Sequence, residues 1–304
     1  MAGTPEVALV TGGSTGIGRA VALGLGTAGF AVAVLARTPQ ALAETQTLLE
    51  AEGVPAVALV ADVRDAAAVT DAVTSIEDQL GPISTVVNGA GTSLAIGPLW
   101  EVDPRDWWTD VETSLGGAFN VCRSVIPGMI AHRRGRILTV SSYAGLHAAP
   151  YQNAYGVAKA GLANLTESLA ASLMGHGVQA FTVTPGFVRT RLTSQLTESP
   201  EGRRWLPELQ GRSALDPALF VRLIVRIALG GADELNGRFL HALDDLDELI
   251  ARRGEIESEE LYVPRLLRLP PLDPVSPGPP GEVISAPRAP AGDVSASEKE
   301  DEGR

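Results

Sequence analysis

Between Ser142 and Lys159 the chain sets a serine, a tyrosine and a lysine at spacings that suit proton transfer, and three of its four tyrosines fall in this stretch. If the apolar run Ile137–Val140 is a strand and residues 153–174 are a helix, Ser142 ends the strand. Tyr155 and Lys159 then share one helical face at i and i+4. A phenol titrates near a pKa of about 10, too high for efficient acid or base work at neutral pH, and a fixed ammonium beside it favours the phenolate. Ser142 would hold a substrate oxygen while Tyr155 gives or takes its proton. The same residue types at the same spacing also occur on ordinary solvated surfaces, so spacing alone does not decide.

Composition adds weight. The chain carries 22 arginines and only two lysines, the second being Lys299 near its end. Guanidinium and ammonium differ in shape, hydration and reach, so a site that needs a compact point charge resists the exchange.

The elements that must position these groups are legible around them. Val7–Thr11 reads as a buried strand running into Gly12-Gly-Ser-Thr-Gly-Ile-Gly18, and a helical pattern begins at Arg19. Strand, glycine turn and helix form a phosphate-binding arrangement, because bare backbone N–H groups and the helix dipole both meet an anion there. Further apolar runs at Phe30–Leu35, Val57–Val60, Thr85–Val87, Ile137–Val140 and Val178–Val183 alternate with helix-length segments. A last strand is expected over Arg238–Ala242. The pattern predicts an α/β doubly wound Rossmann fold: one parallel seven-stranded sheet with helices on both faces and ligands at the carboxyl ends of the strands.

Each strand end carries something suited to a dinucleotide. After the second strand come Arg37 and Thr38, with no acid to hold the adenosine ribose hydroxyls. A 2'-phosphate would be welcomed there, so NADP is favoured over NAD. Asp62 and Val63 follow the third strand, where Asp62 suits the adenine amino group and Asp65 suits the cap of the next helix. Asn88-Gly-Ala-Gly91 leaves bare backbone for a cofactor to lie against, and Thr184-Pro-Gly-Phe-Val-Arg-Thr190 makes a stiff turn for an amide-bearing ring.

Taken together, the glycine motif from Thr11 to Gly18, Asp62, Asn88-Gly-Ala-Gly91, Ser142, Tyr155-x-x-x-Lys159, and Pro185-Gly186 with Thr190 resemble the short-chain dehydrogenase/reductases of compact, non-extended type, over roughly residues 5–241. The resemblance implies an NAD(P)-dependent oxidoreductase acting on CH–OH groups, which interconverts a secondary alcohol and a ketone. By it, Tyr155 is the general acid or base, Ser142 orients the reacting oxygen, and Lys159 binds the nicotinamide ribose and lowers the phenol pKa. Gly12, Ser14, Thr15, Gly16, Ile17 and Gly18 wrap the pyrophosphate and adenosine side, with Arg37, Thr38, Asp62 and Val63 beyond them. Asn88, Ala90 and Gly91 line the groove, Val188 and Thr190 meet the carboxamide, and Pro185 and Gly186 belong to the same cofactor-binding turn. The family usually has an Asn in its fourth long helix that holds a water of the proton relay; Ser114 falls at that position here. That departure keeps a non-catalytic cofactor sensor open as a reading, beside a lyase or epimerase on the same scaffold.

Three segments are free to shape a substrate pocket: 93–99, 143–153 and 187–213, the last expected as a lid. His147, Tyr151 and Asn153 are its polar candidates, with Phe187 and Trp205 as apolar walls. A small, uncharged or partly apolar carbonyl compound or alcohol is the expected partner. Domain organisation is read as one domain over 1–264, an acidic helix near 243–253, and a proline-rich disordered tail over 265–304.

The net charge of −12 argues against nucleic acid and anionic membranes, which reward clustered basic charge. No apolar stretch is long enough to span a bilayer, and one cysteine, Cys122, excludes internal disulfides and four-cysteine metal sites, so no metal is expected. A cytoplasmic protein is the expectation, and the resemblance implies a homodimer or homotetramer assembled through helices at 105–132 and 153–174.

Overall fold

The chain alternates strand and helix along its described residues. In a computed structural model, which describes residues 5–265, β1 (Val7–Thr11) leads into α1 (Gly16–Thr27), β2 (Ala31–Ala36), α2 (Pro39–Ala51), β3 (Ala56–Val60), α3 (Ala66–Leu80) and β4 (Ile83–Asn88). The second half runs α4 (Pro104–Val111), α5 (Gly117–Ala131), β5 (Gly135–Val140), α6 (Asn153–Ser172), β6 (Val178–Thr184), α7 (Arg191–Glu198), α8 (Pro200–Trp205), α9 (Pro217–Ala228), β7 (Phe239–His241), α10 (Leu246–Ala251) and α11 (Arg253–Ser258). All seven strands pair in parallel in the order β3-β2-β1-β4-β5-β6-β7, so the sheet reverses direction of growth between β1 and β4. Ligands of doubly wound sheets bind in the crevice at that reversal.

β1 to β3 are Val, Ala and Leu runs apart from Thr11, as fits a sheet covered on both faces. On one face Val21 and Leu25 of α1 pack with Phe220, Ile224 and Ile227 of α9. On the other, Val69, Val73 and Ile76 of α3 pack with Val121, Val125 and Met129 of α5. Helix starts follow their capping chemistry: Asp65 accepts from the amides of Ala67 and Ala68 at 3.0 Å, and Asp103 and Asp216 cap α4 and α9 ahead of a proline.

Three expectations are refined. The helix expected across 105–132 is two helices joined by a wide π-helical turn over Glu112–Gly116, with Ser114 at its centre. A π turn inserts one residue into the helical ladder, which period reading cannot detect. The expected lid contains two short helices, α7 and α8; Leu196 of α7 and Leu206, just after α8, pack on Ile96 in an apolar cluster separate from the main core. The acidic C-terminal helix is broken into α10 and α11, after which the carbonyl of Tyr262 accepts from Phe239 N–H at 2.7 Å along the outer edge of β7. The described unit ends at Arg265, and the expected tail falls outside the described residues from 266 onward.

Candidate active site

A cleft of about 420 Å³ runs along the carboxyl ends of β1 to β6, within the range of small-molecule sites. Its first wall is the glycine turn. Gly12 has φ +69°, and a Cβ at Gly18 would lie 2.3 Å from the Gly12 carbonyl oxygen, so the turn folds this tightly only with hydrogen at Gly18. Thr15 caps α1 with extended backbone and its side chain makes no cap bond, leaving the first-turn N–H groups facing the cleft. Arg19 pins the turn from behind, donating to the carbonyl of Ser14 at 2.9 Å and to Thr45 Oγ1 at 2.9 Å.

Thr11 then ties this wall to the next. Its hydroxyl accepts from the amides of Gly89 at 3.1 Å and Ala90 at 3.2 Å, which holds the bare loop after β4 against the glycine turn. Val63 packs on Gly117, where an added Cβ would stand 2.4 Å from a Val63 methyl, and Asn120 Nδ2 donates to the Val63 carbonyl at 2.9 Å. Asp62 is engaged by Arg64, whose guanidinium donates to both carboxylate oxygens, the shortest contact being 2.6 Å. That hydrogen bond holds the carboxyl below the usual aspartate range, with Arg37 adding attraction from 4.0 Å.

Tyr155, Ser142 and Lys159 come together at the middle of the cleft. Ser142 caps a short 3₁₀ turn over Tyr143–Gly145, its hydroxyl accepting from Ala144 N–H at 3.2 Å. Lys159 is buried and donates from Nζ to the Val140 carbonyl at 2.7 Å, with the nitrogen 5.3 Å from the centre of the Tyr155 ring. Burial alone brings the lysine down to about 8, so most of it still carries its charge at neutral pH. Burial likewise pushes the Tyr155 phenol above its ordinary value; a hydrogen bond with Ser142 works against that push, while the charge of Asp110 adds to it.

The structure sorts the expected residues. Gly12, Ser14, Thr15, Gly16, Ile17, Gly18, Arg37, Thr38, Asp62, Val63, Ala90, Gly91, Pro185, Gly186, Val188 and Thr190 line the cleft with Ser142, Tyr155 and Lys159. Asn88 does not: it points to the same sheet face as Val86, where its Nδ2 lies 3.4 Å from Cys122 Sγ. Ser114 is buried just behind the cleft, its hydroxyl unpartnered; a Cβ at Gly91 would stand 3.2 Å from that oxygen and 3.6 Å from Lys159 Nζ.

The five substrate candidates are elsewhere. Asn153 Oδ1 accepts from Trp107 Nε1 at 2.6 Å, Tyr151 packs on Trp205, the Arg212 guanidinium covers Phe187, and His147 is exposed. Their places on the cleft wall are taken by Thr92, Ser93, Leu94, Thr113, Leu192 and Gln195. No spacing pattern marks those six, because they lie on irregular segments or short helices whose side-chain directions are set by tertiary packing.

The donor set suits a dinucleotide: free backbone N–H groups at a helix start, a cradle that a Cβ would fill, and a guanidinium at its far end. Among the described residues no group of three or more His, Cys, Asp or Glu is placed to hold a metal ion, and no helix is long and apolar enough to cross a membrane.

Comparison with known proteins agrees with this geometry. A family model described as short chain dehydrogenase matches residues 6–201. A short chain dehydrogenase of Pseudocercospora fijiensis (strain CIRAD86) is 33% identical over 277 residues, covering 85% of this chain and 88% of its own. Among solved structures, a gluconate 5-dehydrogenase from Burkholderia cenocepacia J2315 in complex with NADP and tartrate superposes with a TM-score of 0.70 at 30% identity, over 78% of this chain and 92% of that one. A variant of the actinorhodin polyketide ketoreductase with NADPH gives 0.71 at 28% identity, over 79% and 97%. A seven-stranded Rossmann sheet, a glycine-walled cleft and a family match over more than half the chain lead to one conclusion: the protein belongs to the short chain dehydrogenase family of oxidoreductases.

Proposed function

We propose that the protein interconverts a secondary alcohol and a ketone with NADP in preference to NAD, Tyr155 exchanging the proton. The carrying observation is the convergence of Tyr155, Ser142 and Lys159 on one cleft whose other walls suit a dinucleotide. The nicotinamide, when bound, supplies or accepts the hydride. Ser142 holds the substrate oxygen and Tyr155 donates its proton in reduction or takes it in oxidation. Negative charge that develops on the phenol is met by the buried Lys159 ammonium, already fixed by the Val140 carbonyl. Because burial raises the phenol, reduction, which needs Tyr155 protonated, stays active to higher pH than an exposed tyrosine would allow.

The NADP preference rests on exposed Arg37 and on the sequence Ala36-Arg37-Thr38 at the end of β2, which places no acid there to hold the ribose hydroxyls. The substrate end is lined by Ser93, Leu94, Leu192 and Gln195, consistent with an uncharged or partly apolar carbonyl compound. Work in the cytoplasm is proposed on the single, buried cysteine. Exposed Trp108, Phe119 and Val157 on α4, α5 and α6 support a homodimer or homotetramer through those helices, which light scattering checks. One observation favours a second reading, a cofactor-binding sensor: Ser114 is short, and its hydroxyl has no partner.

A panel of ketones, alcohols and sugar acids, run with both cofactors and followed by nicotinamide absorbance, separates the possibilities. Stoichiometric change with NADP supports the proposal. Turnover without net change in absorbance would mean a lyase or epimerase, and tight cofactor binding without turnover would mean a sensor.

A further inference from the structure

Asp110 is a carboxylate with no exposed surface, one residue from the end of α4 and outside the set of cleft-lining residues. Burying a carboxylate is costly unless hydrogen bonds meet it. Here they do: Leu94 N–H lies 2.9 and 2.8 Å from its two oxygens, and Ala95 N–H lies 3.0 Å from the second. Leu94 and Tyr155 both line the cleft. The same helix grips the opposite wall, since Trp107 Nε1 donates to Asn153 Oδ1 at 2.6 Å, two residues before Tyr155. A third tie, Gln152 Nε2 to Ser93 Oγ at 3.1 Å, joins the two walls directly.

We propose that Asp110 is a positioning residue for the substrate: through the amides of Leu94 and Ala95 it sets the distance between the loop after β4 and Tyr155, and so the place of the reacting carbon. This inference rests on Tyr155 as the proton-exchanging group. Charge supplies a signature that a mere brace would lack. Both oxygens accept from amides, which is the bonding of an ionised carboxylate, although burial raises its pKa. The charged and titratable groups around the pair are Asp106 on the same helix, which also pushes Asp110 up, and Lys159, one turn along α6 from Tyr155. The negative charge of Asp110 disfavours the phenolate and lifts the Tyr155 pKa.

The test is Asp110→Asn in the full chain, with NADPH and ethyl acetoacetate as the probe pair and Tyr155→Phe run beside it. An amide keeps the size but cannot accept from all the donors, so the substrate KM should rise about tenfold, as for one lost charge-assisted bond. The cofactor Kd should stay within about twofold, and the loss of reductase activity at high pH should move to lower pH as the phenol pKa falls. An unchanged KM and pH limb in a folded variant would overturn the proposal. So would equal losses in cofactor binding and substrate KM, the mark of a general brace. If Tyr155→Phe stays active the functional reading fails, whatever Asp110→Asn shows. Hydrogen exchange on the wild-type protein decides the matter if the variant does not fold or the probe is not turned over: the amides of Leu94 and Ala95 should exchange as slowly as strand amides, and exchange as fast as at exposed Trp100 would refute the contact.

Discussion

The end of the cleft proposed for the cofactor is built largely from main chain, whereas the end proposed for the substrate hangs on side chains. At the former, the glycine turn, the Gly89–Gly91 loop and Pro185-Gly186 present backbone to the ligand, and sheet pairing sets their positions. At the latter, the loop after β4 is held by Asp110, Gln152 and the Trp107–Asn153 bond, and the α7–α8 segment rests on a small cluster around Ile96, Leu196 and Leu206. A wall made of backbone resists change where an added atom collides with it, as a Cβ would at Gly18 and Gly89. A wall made of side-chain contacts can be re-aimed by a few substitutions without disturbing the sheet, and one cofactor site can then serve different substrates.

That contrast breaks most visibly at Gly18. Gly18→Val should lower cofactor affinity by about a hundredfold or more, since its Cβ meets the Gly12 carbonyl at 2.3 Å and forces the turn open. Fluorescence titration with NADPH checks this, and an unaltered Kd would show the turn to be far more yielding than the packing allows.

Lys159→Met is expected to reduce kcat by about two orders of magnitude, by removing the fixed charge beside Tyr155. The cofactor-free protein should not lose stability with it. Lysine titrates in the unfolded chain near 10.5 and in the folded protein near 8, so the unfolded state holds more protons in between and stability rises with pH across that window. Below about 8 the folded state carries the whole penalty of the buried charge, and replacing it with methionine should raise Tm at neutral pH by a few degrees. Calorimetry on the two proteins at pH 7 and pH 10 reads both parts, with the smaller difference at pH 10.

Arg37→Ala should cut the preference for NADP over NAD about tenfold, the size of one exposed charge-assisted contact. Competitive binding of the two cofactors measures it, and an unchanged ratio would move the discrimination elsewhere. The smallest effect belongs to the substrate end: Leu206→Ala should raise the substrate KM a few-fold and leave the cofactor Kd alone, because its cluster is separate from the main core. Loss of cofactor binding in that variant would erase the contrast between the two ends.

The same division explains what could be read from sequence. Strands such as Ala31–Ala36 and Ala56–Val60 are continuous apolar runs, and helices begin at visible caps such as Asp65 and Asp216. The cofactor end follows from these elements because it is their backbone. The substrate end does not: Asn153 looked like a ligand and serves as the acceptor for Trp107, and Trp205 looked like a wall and packs on Tyr151. Asp110 is the sharpest case, since an acid on a short polar helix has the appearance of a solvated residue until the loop that buries it is placed. Asn88 was misplaced for a simpler reason, strand alternation, which puts it with Val86 on the α5 side of the sheet.

Pre-steady-state reduction by Tyr155→Phe tests the central claim most directly. With NADPH bound as tightly as in the parent protein, the variant should lose about a thousandfold or more in the rate of nicotinamide oxidation by a ketone, with no pH limb left between neutrality and pH 11. Parent-like rates in a variant that binds NADPH normally would contradict the assignment of the proton to this phenol.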